Sequence, residues 1–433
     1  MRYIRLLFTR DYLSFSFMIG INFVFMALAF IVDTPSAVIN GFFIIIRSRS
    51  ILITDYVALA GVGATLLNVS LVGFSTVSML IRLKAKPNGS HIMAAWLSMG
   101  FAFFGKNIFN MIPLTTGVWL YAKYVKMPFS KYFIPALLVA TLSPSISEIA
   151  FLGVYSPVIE IAAGVLIGYF VGFIFPVISV ESMKVHRGFQ LYNMGFAGGL
   201  IATILATLFM NLGLEIVPAV YWSSGNNFFF ARLLYSISAA MLAMGLLSGL
   251  GAGPFRQGLK TVLKNYRKIH SHSGRLVTDY YEMYGKSVYI NLALLCALGT
   301  TIVLLVGAEL NGPTIGGILT IMGFGSLGKH LRNVLPIVFG AVLSAYVNTG
   351  DIAAPANIMA ILFSSGLAPI AGAFGPAWGI IAGFLHVNVA NYIGDLNQGL
   401  NLYNNGFAGG LVALFLLSII GIFKHDPTLE SYK

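Results

Sequence analysis

Two short constellations in this sequence could do chemistry, and they are copies of each other. Gly105, Lys106, Asn110 and Pro113 recur as Gly328, Lys329, Asn333 and Pro336, inside the shared pattern M-G-F-x-x-x-G-K-x-x-x-N-x-x-P-x-x-x-G. Glycine permits a sharp turn, and proline removes one backbone donor and frees a carbonyl a turn earlier, so each copy reads as a broken helix. Freed backbone groups beside an ammonium and an amide can bind a polar solute. Lys106 and Lys329 have two readings, an anchor snorkelling to an interface or a charge facing a permeation path.

A second repeated element is LYNMGFAGG at 191–199, which returns as LYNNGFAGG at 402–410. Its small residues let another backbone approach closely, which is a packing role. Packing does not account for Asn193 and Asn404, each preceded by a tyrosine, Tyr192 and Tyr403. An amide at a helix start either caps the helix or offers a donor and an acceptor to a solute. Asn311, in the N-G-P that opens the second broken segment, joins these as a candidate. Glu148 in SPSISEIAF and His386, Asn388 and Asn391 in FLHVNVANY are polar groups inside apolar runs, with Glu148 a candidate proton or cation ligand. His386 has no second ligand at metal spacing on its helix, so no metal site is expected, and no cofactor motif is present. The single cysteine, Cys296, excludes an internal disulfide framework.

The elements that must hold these residues are set by composition. With 58% hydrophobic and 9% charged residues and a mean hydropathy of +0.85, the chain cannot build a watery surface. Runs such as 12–32, 55–81, 157–180 and 287–308 are long enough to cross a bilayer, and backbone groups there must be bonded within each run, so they are helices. The first run follows a basic start but is too long for a signal segment, and it reads as an uncleaved helix. The fold expected is an all-α integral membrane protein. Its net charge of +12 sits in loops, where it is an orientation signal and no sign of nucleic acid.

Asn88–Tyr124 aligns without a gap on Asn311–Val347, and ITDY at 53–56 recurs as VTDY at 277–280. Two diverged repeats are therefore expected, 1–213 and 214–433, each with about seven membrane elements including short or broken helices. Basic loops at 82–86, 123–131, 184–187 and 254–286 fall on one side if the N- and C-termini are cytoplasmic; Arg47 and Arg49 are the exception. An odd element count inverts the second repeat, whether the broken segment crosses twice or re-enters. The linker 254–286 reads as a basic amphipathic helix on the cytoplasmic interface, with Phe255, Leu259, Val262, Leu263, Tyr266 and Ile269 on one stripe.

The segment NGPTIGGILTIMGFG at 311–325 is similar to the N-N-P-x-x-G stretch that opens a half-membrane helix in urea transporters. GLNLYNNGFAGGLVALF at 399–415 looks like their G-L-x-x-Y-N-x-x-L-x-G-L stretch, in the same order. The resemblance implies two inverted halves around a narrow pore for a small neutral solute, in an oligomer. It departs in the first copy, where Ser90 replaces the proline, and Lys106 and Lys329 have no counterpart in it. Over its full length the chain resembles an uncharacterised family of bacterial membrane proteins built from two copies of one unit.

The function expected is transport, by channel or carrier, of a small polar solute or ion along a path between inverted repeats in the cell membrane. A proton- or cation-coupled carrier of a small anion or metabolite is the alternative. An intramembrane enzyme or a scaffold is the rival of another class, and no nucleophile, paired aspartate or metal motif favours an enzyme. The partners expected are the solute and lipid, and the sequence leaves room for a homo-oligomer.

Overall fold

The computed structural model describes residues 9, 12–214, 216, 219–250, 255–276 and 278–423, with no side chain for 255. Both chain ends, Val277 of the second VTDY and the Phe255 side chain lie outside the described residues, and with them the cytoplasmic placement of the termini.

Each copy contains ten α-helices among these residues, and the two sets correspond in order. In the first copy they are α1 (Leu13–Val32), α2 (Pro35–Arg47), α3 (Tyr56–Ala60), α4 (Val62–Arg82), α5 (Gly89–Phe101), α6 (Ile108–Tyr124), α7 (Phe133–Leu138), α8 (Ser143–Ala150), α9 (Pro157–His186) and α10 (Asn193–Asn211). In the second they are α11 (Asn227–Leu247), α12 (Phe255–Ile269), α13 (Tyr280–Tyr284), α14 (Val288–Leu305), α15 (Gly312–Gly323), α16 (Leu331–Thr349), α17 (Pro355–Ser364), α18 (Ala368–Phe374), α19 (Pro376–Asn397) and α20 (Asn404–Phe423). The caps correspond as well. Asp55 and Asp279 cap α3 and α13, and Asn88 and Asn311 cap α5 and α15. Each such cap is worth about 0.5–2 kcal/mol.

Ten helices are long and apolar enough to span a membrane by length and composition. Many turn large apolar side chains outward, among them Ile31, Leu166, Phe170, Ile204, Phe339 and Phe415. Such an apolar exterior matches hydrocarbon rather than water, and the chain is a multi-pass membrane protein.

The two copies are inverted relative to each other. Equivalent helices α5 and α15 lie side by side and antiparallel, with Gly100 against Gly316 at one end and Gly323 against Met93 and Trp96 at the other. A two-fold relation across the helix direction follows. At the second contact between the copies, α10 crosses α20 where the backbones of Gly195 and Gly406 meet, so close that a Cβ on either has no room.

Within a copy, the broken segment is a hairpin. The His91 ring at the start of α5 lies 6.4 Å from Phe133, and Tyr121 near the end of α6 lies 5.2 Å from Tyr132. Both ends of the pair are thus at the start of the α7–α8 stretch, and the chain reverses at Gly105–Lys106. Behind it, α6 packs on α9 through Gly117 and Gly172, and α16 on α19 through Gly340 and Gly383.

The segment 254–286 is more than a connection. Its helix α12 occupies the place that α2 holds in the first copy, with Val262 and Ile269 buried against the second repeat and Leu263 left on the surface. The same position is filled by PSAVINGFFIIIR in one copy and by a basic amphipathic sequence in the other, which conceals the correspondence in the sequence.

Candidate functional site

The breaks are built first by backbone geometry. Gly105 has φ +75° and Gly328 φ +95°, a conformation that side chains with a Cβ rarely adopt. The chain then restarts with a reciprocal cap. Asn107 and Asn110 exchange side-chain and backbone bonds at the start of α6, and His330 and Asn333 do so at α16. Asn110 Nδ2 also donates to Gly105 O and Asn333 Nδ2 to Gly328 O, both at 2.9 Å. Two further amides reach in from the preceding helix. Asn68 donates to Ala102 O and Lys106 O at 2.8 and 2.9 Å, and Asn291 to Gly325 O and Lys329 O at 2.8 and 2.7 Å. The carbonyls freed by the breaks are therefore held by the protein itself, as a low-dielectric interior requires. Pro113 and Pro336 lie inside α6 and α16, Pro113 packed against Gly168 and Pro336 against Gly379.

The two lysines of the breaks differ in what they meet. Both side chains are buried, Lys106 at 1% exposure and Lys329 at 0%. Lys329 Nζ donates to the Tyr192 hydroxyl and, at 2.8 Å, to Ser365 Oγ. It also sits over the Tyr192 and Phe324 rings, 4.4 and 5.2 Å from their centroids. Lys106 has no hydrogen-bond or ion-pair partner among the described residues. The Tyr403 hydroxyl, its counterpart to Tyr192, is likewise buried without one.

The tyrosines meet at the two-fold. Their ring centroids are 4.6 Å apart, and each ring leans on the phenylalanine of one broken helix, Tyr403 on Phe101 and Tyr192 on Phe324, both at 5.1 Å. Their backbones are fixed by exchange between copies. Leu402 N donates to Thr141 O at 2.8 Å and Leu191 N to Gly366 O at 2.9 Å, so each Tyr-Asn start docks on the turn between the seventh and eighth helices of the other copy.

A cavity borders each Tyr-Asn start, and the two are counterparts, with the tyrosine rings lining the smaller one. One of about 500 Å³ is lined by Leu52, Met359, Asn391, Asp395, Asn404 and others, and the other, about 200 Å³, by Leu276, Ile134, Met183, Asn193, Tyr192 and Tyr403 among others. Met183 stands where the second copy has Gly394, which accounts for part of the difference in volume. Asn193 is satisfied, with Oδ1 2.9 Å from His186 Nε2 and Nδ2 donating to Ser179 O at 2.8 Å. Asn404 Oδ1 accepts from Asn397 at 2.6 Å, while its Nδ2 has no partner among the described residues and faces the larger cavity.

Residues 34–211 and 259–422 match one family, DUF1576, described as a protein of unknown function. The chain belongs to DUF1576. The two matched segments run from α2 to α10 and from α12 to α20, one for each copy. Neither the curated proteins nor the solved structures contain a match to the chain.

Other polar residues of this DUF1576 protein lie away from the tyrosine pair. Asn311 Oδ1 accepts from Thr314 N, and its Nδ2 donates to Ser223 O at 3.2 Å. Glu148 is fully buried and paired with Arg49, whose Nε lies 3.0 Å from Oε2. That pairing gives Arg49 a reason to sit on the face poor in basic residues. His386 Nε2 bonds Asn405 Oδ1 at 3.0 Å, and Asn388 and Asn391 bond Ser344 and Asn357. No group of three or more His, Cys, Asp or Glu side chains among the described residues is arranged to hold a metal ion.

Two aspartates emerge only in three dimensions. Asp55 accepts from Gly312 N at 3.0 Å and Asp279 from Gly89 N at 2.8 Å, so each caps the broken helix of the opposite copy. The signal for them was the repeated T-D-Y; for Asn68 and Asn291 it was an amide recurring in an apolar run.

Proposed function

We propose that the protein is a carrier for a small polar solute or ion, with a single path between its inverted copies. The observation that carries this reading is the pair of equivalent cavities, each bordered by the asparagine of a Tyr-Asn start, with the Tyr192–Tyr403 pair packed where the two copies meet. A passive channel of the urea-transporter kind calls for a continuous pore, whereas here two tilted tyrosine rings, 4.6 Å apart, fill the junction of the copies.

The asymmetry supports alternating access. On the side of the smaller cavity, Lys329, Tyr192 and Ser365 form a bonded latch. The mirrored positions hold Lys106, Tyr403 and Ala140, and neither polar group is bonded. A carrier with inverted repeats exchanges the conformations of its halves, so opening toward the second face would release the Lys329 latch while Lys106 approaches Tyr403. Ala140 supplies no hydroxyl, and the second latch is the weaker one.

Purified protein in liposomes tests this, with urea, ammonia, small amides, anions and monovalent cations offered with and without a proton gradient. Flux of one class, reduced by Asn193→Leu and by Asn404→Leu at unchanged protein level, is the expected result. No flux of any class refutes transport, and flux indifferent to both substitutions removes the asparagines from the path.

A further inference from the structure

On the same side as the Lys329 break, a cavity of about 480 Å³ opens between the loop after α12 and the starts of α16 and α19. His270, His272, His330 and Arg332 line it with the 371–376 turn, and no lining residue is acidic. His330 is committed to the fold, since Nδ1 accepts from Asn333 N and Nε2 donates to His272 O at 2.9 Å. The His270 ring lies 5.2 Å from it, with Nδ1 bonded to Tyr266 O at 3.2 Å. Burial, and after it the Arg332 cation, hold the His270 imidazole below its usual value. The exposed Arg332 guanidinium has no hydrogen bond or ion pair with a described residue. The start of α19, at Pro376, has no side-chain cap either.

The first copy shows what this place accommodates. There the counterpart of Ala373 is Glu148, and its carboxylate is paired with Arg49 from the counterpart loop. The second copy lacks the acid, and Ser273 stands where the first has Arg49; its cation is instead Arg332 at the start of α16, where the first copy has Phe109. We propose that the cavity bordered by His270, His272 and Arg332 binds a compact oxyanion, a carboxylate or phosphate group, in the position that Glu148 fills in the first copy. The guanidinium and the first free amides of α19 supply charge-assisted bonds to it. The site does not depend on whether the chain transports.

The test is binding of inorganic phosphate to the purified full chain in detergent, read by calorimetry and by the unfolding temperature, with sodium chloride holding ionic strength constant. Wild type is expected to bind saturably, Arg332→Gln about ten-fold more weakly, the size of one charge-assisted bond, and Ala373→Glu not at all, because it supplies the carboxylate internally. Ala373 is exposed, so the glutamate has room; should that variant fail to fold, Arg332→Gln alone decides. In nanodiscs, loss of phosphate binding with phosphatidylglycerol but not phosphatidylcholine identifies a lipid headgroup as the occupant, and binding indifferent to lipid identifies a free ion; both support the site. No saturable binding to wild type, or equal affinity in wild type and the folded variants, overturns it.

Discussion

Replacing Lys106 with methionine should make the protein more stable and less active. The Lys106 side chain is buried at 1% exposure, and its amine has no partner among the described residues. A neutral polar group buried without a compensating bond costs about 1–3 kcal/mol by mutational standards, and an ammonium more. Methionine has similar length and fills the same space without that cost, so Lys106→Met gains about that amount. Lys329→Met behaves differently. It loses the bonds to Tyr192 and Ser365, but these two hydroxyls remain 3.0 Å apart and satisfy each other. The change is then within about 1 kcal/mol, since the lost bonds and the removed burial cost offset each other. Unfolding in mixed micelles titrated with dodecyl sulfate, followed by intrinsic fluorescence, gives both numbers, and liposome flux gives activity. A residue retained at a cost to stability is retained for function, so Lys106→Met should also abolish flux. A destabilised Lys106→Met would refute the reasoning, because the lysine would then be a structural support.

The cross-copy caps predict a graded loss. Asp55→Ala leaves the amides of Val57, Ser223 and Gly312 without an acceptor in a buried setting and costs about 3 kcal/mol or more, whereas partly exposed Asp279→Ala costs about 1 kcal/mol because water replaces the carboxylate; the same unfolding titration compares them. Arg49→Met strands the buried Glu148 carboxylate and costs about 1–3 kcal/mol, and adding Glu148→Gln recovers most of it, as a double-mutant cycle will report. Cysteines placed singly at exposed Ser156 and Ser271, with Cys296 replaced, should label from opposite sides of the membrane; the same accessibility for both would break the inverted topology.

The duplication, the helix breaks and the Tyr-Asn starts were legible because each rests on residue types whose backbone behaviour is local: glycine turns, proline frees a carbonyl, asparagine caps. The partners of those groups were not. Asn68 and Asn291 hold the freed carbonyls from a helix some forty residues earlier, and nothing in an apolar run says where an amide will point. Arg49 and Glu148 are ninety-nine positions apart, and the misplaced charge in the loop pattern was the only trace of their pairing. The equivalence of α2 and α12 was hidden because lipid exposure and a basic interface select different compositions for one position. Lys106 and Lys329 looked alike in sequence, and only packing separates a bonded lysine from an unbonded one.

The central claim is that Asn404 and Asn193 border one path from opposite faces. Single cysteines at these positions, in a chain lacking Cys296, can be treated in oriented vesicles with a small impermeant thiol reagent. Asn404→Cys should react only from the face bearing the 213–227 loop and Asn193→Cys only from the face bearing the 254–286 segment, and modification at either should stop flux. Reaction of both from one face, or flux that survives both modifications, would contradict a path between the two copies.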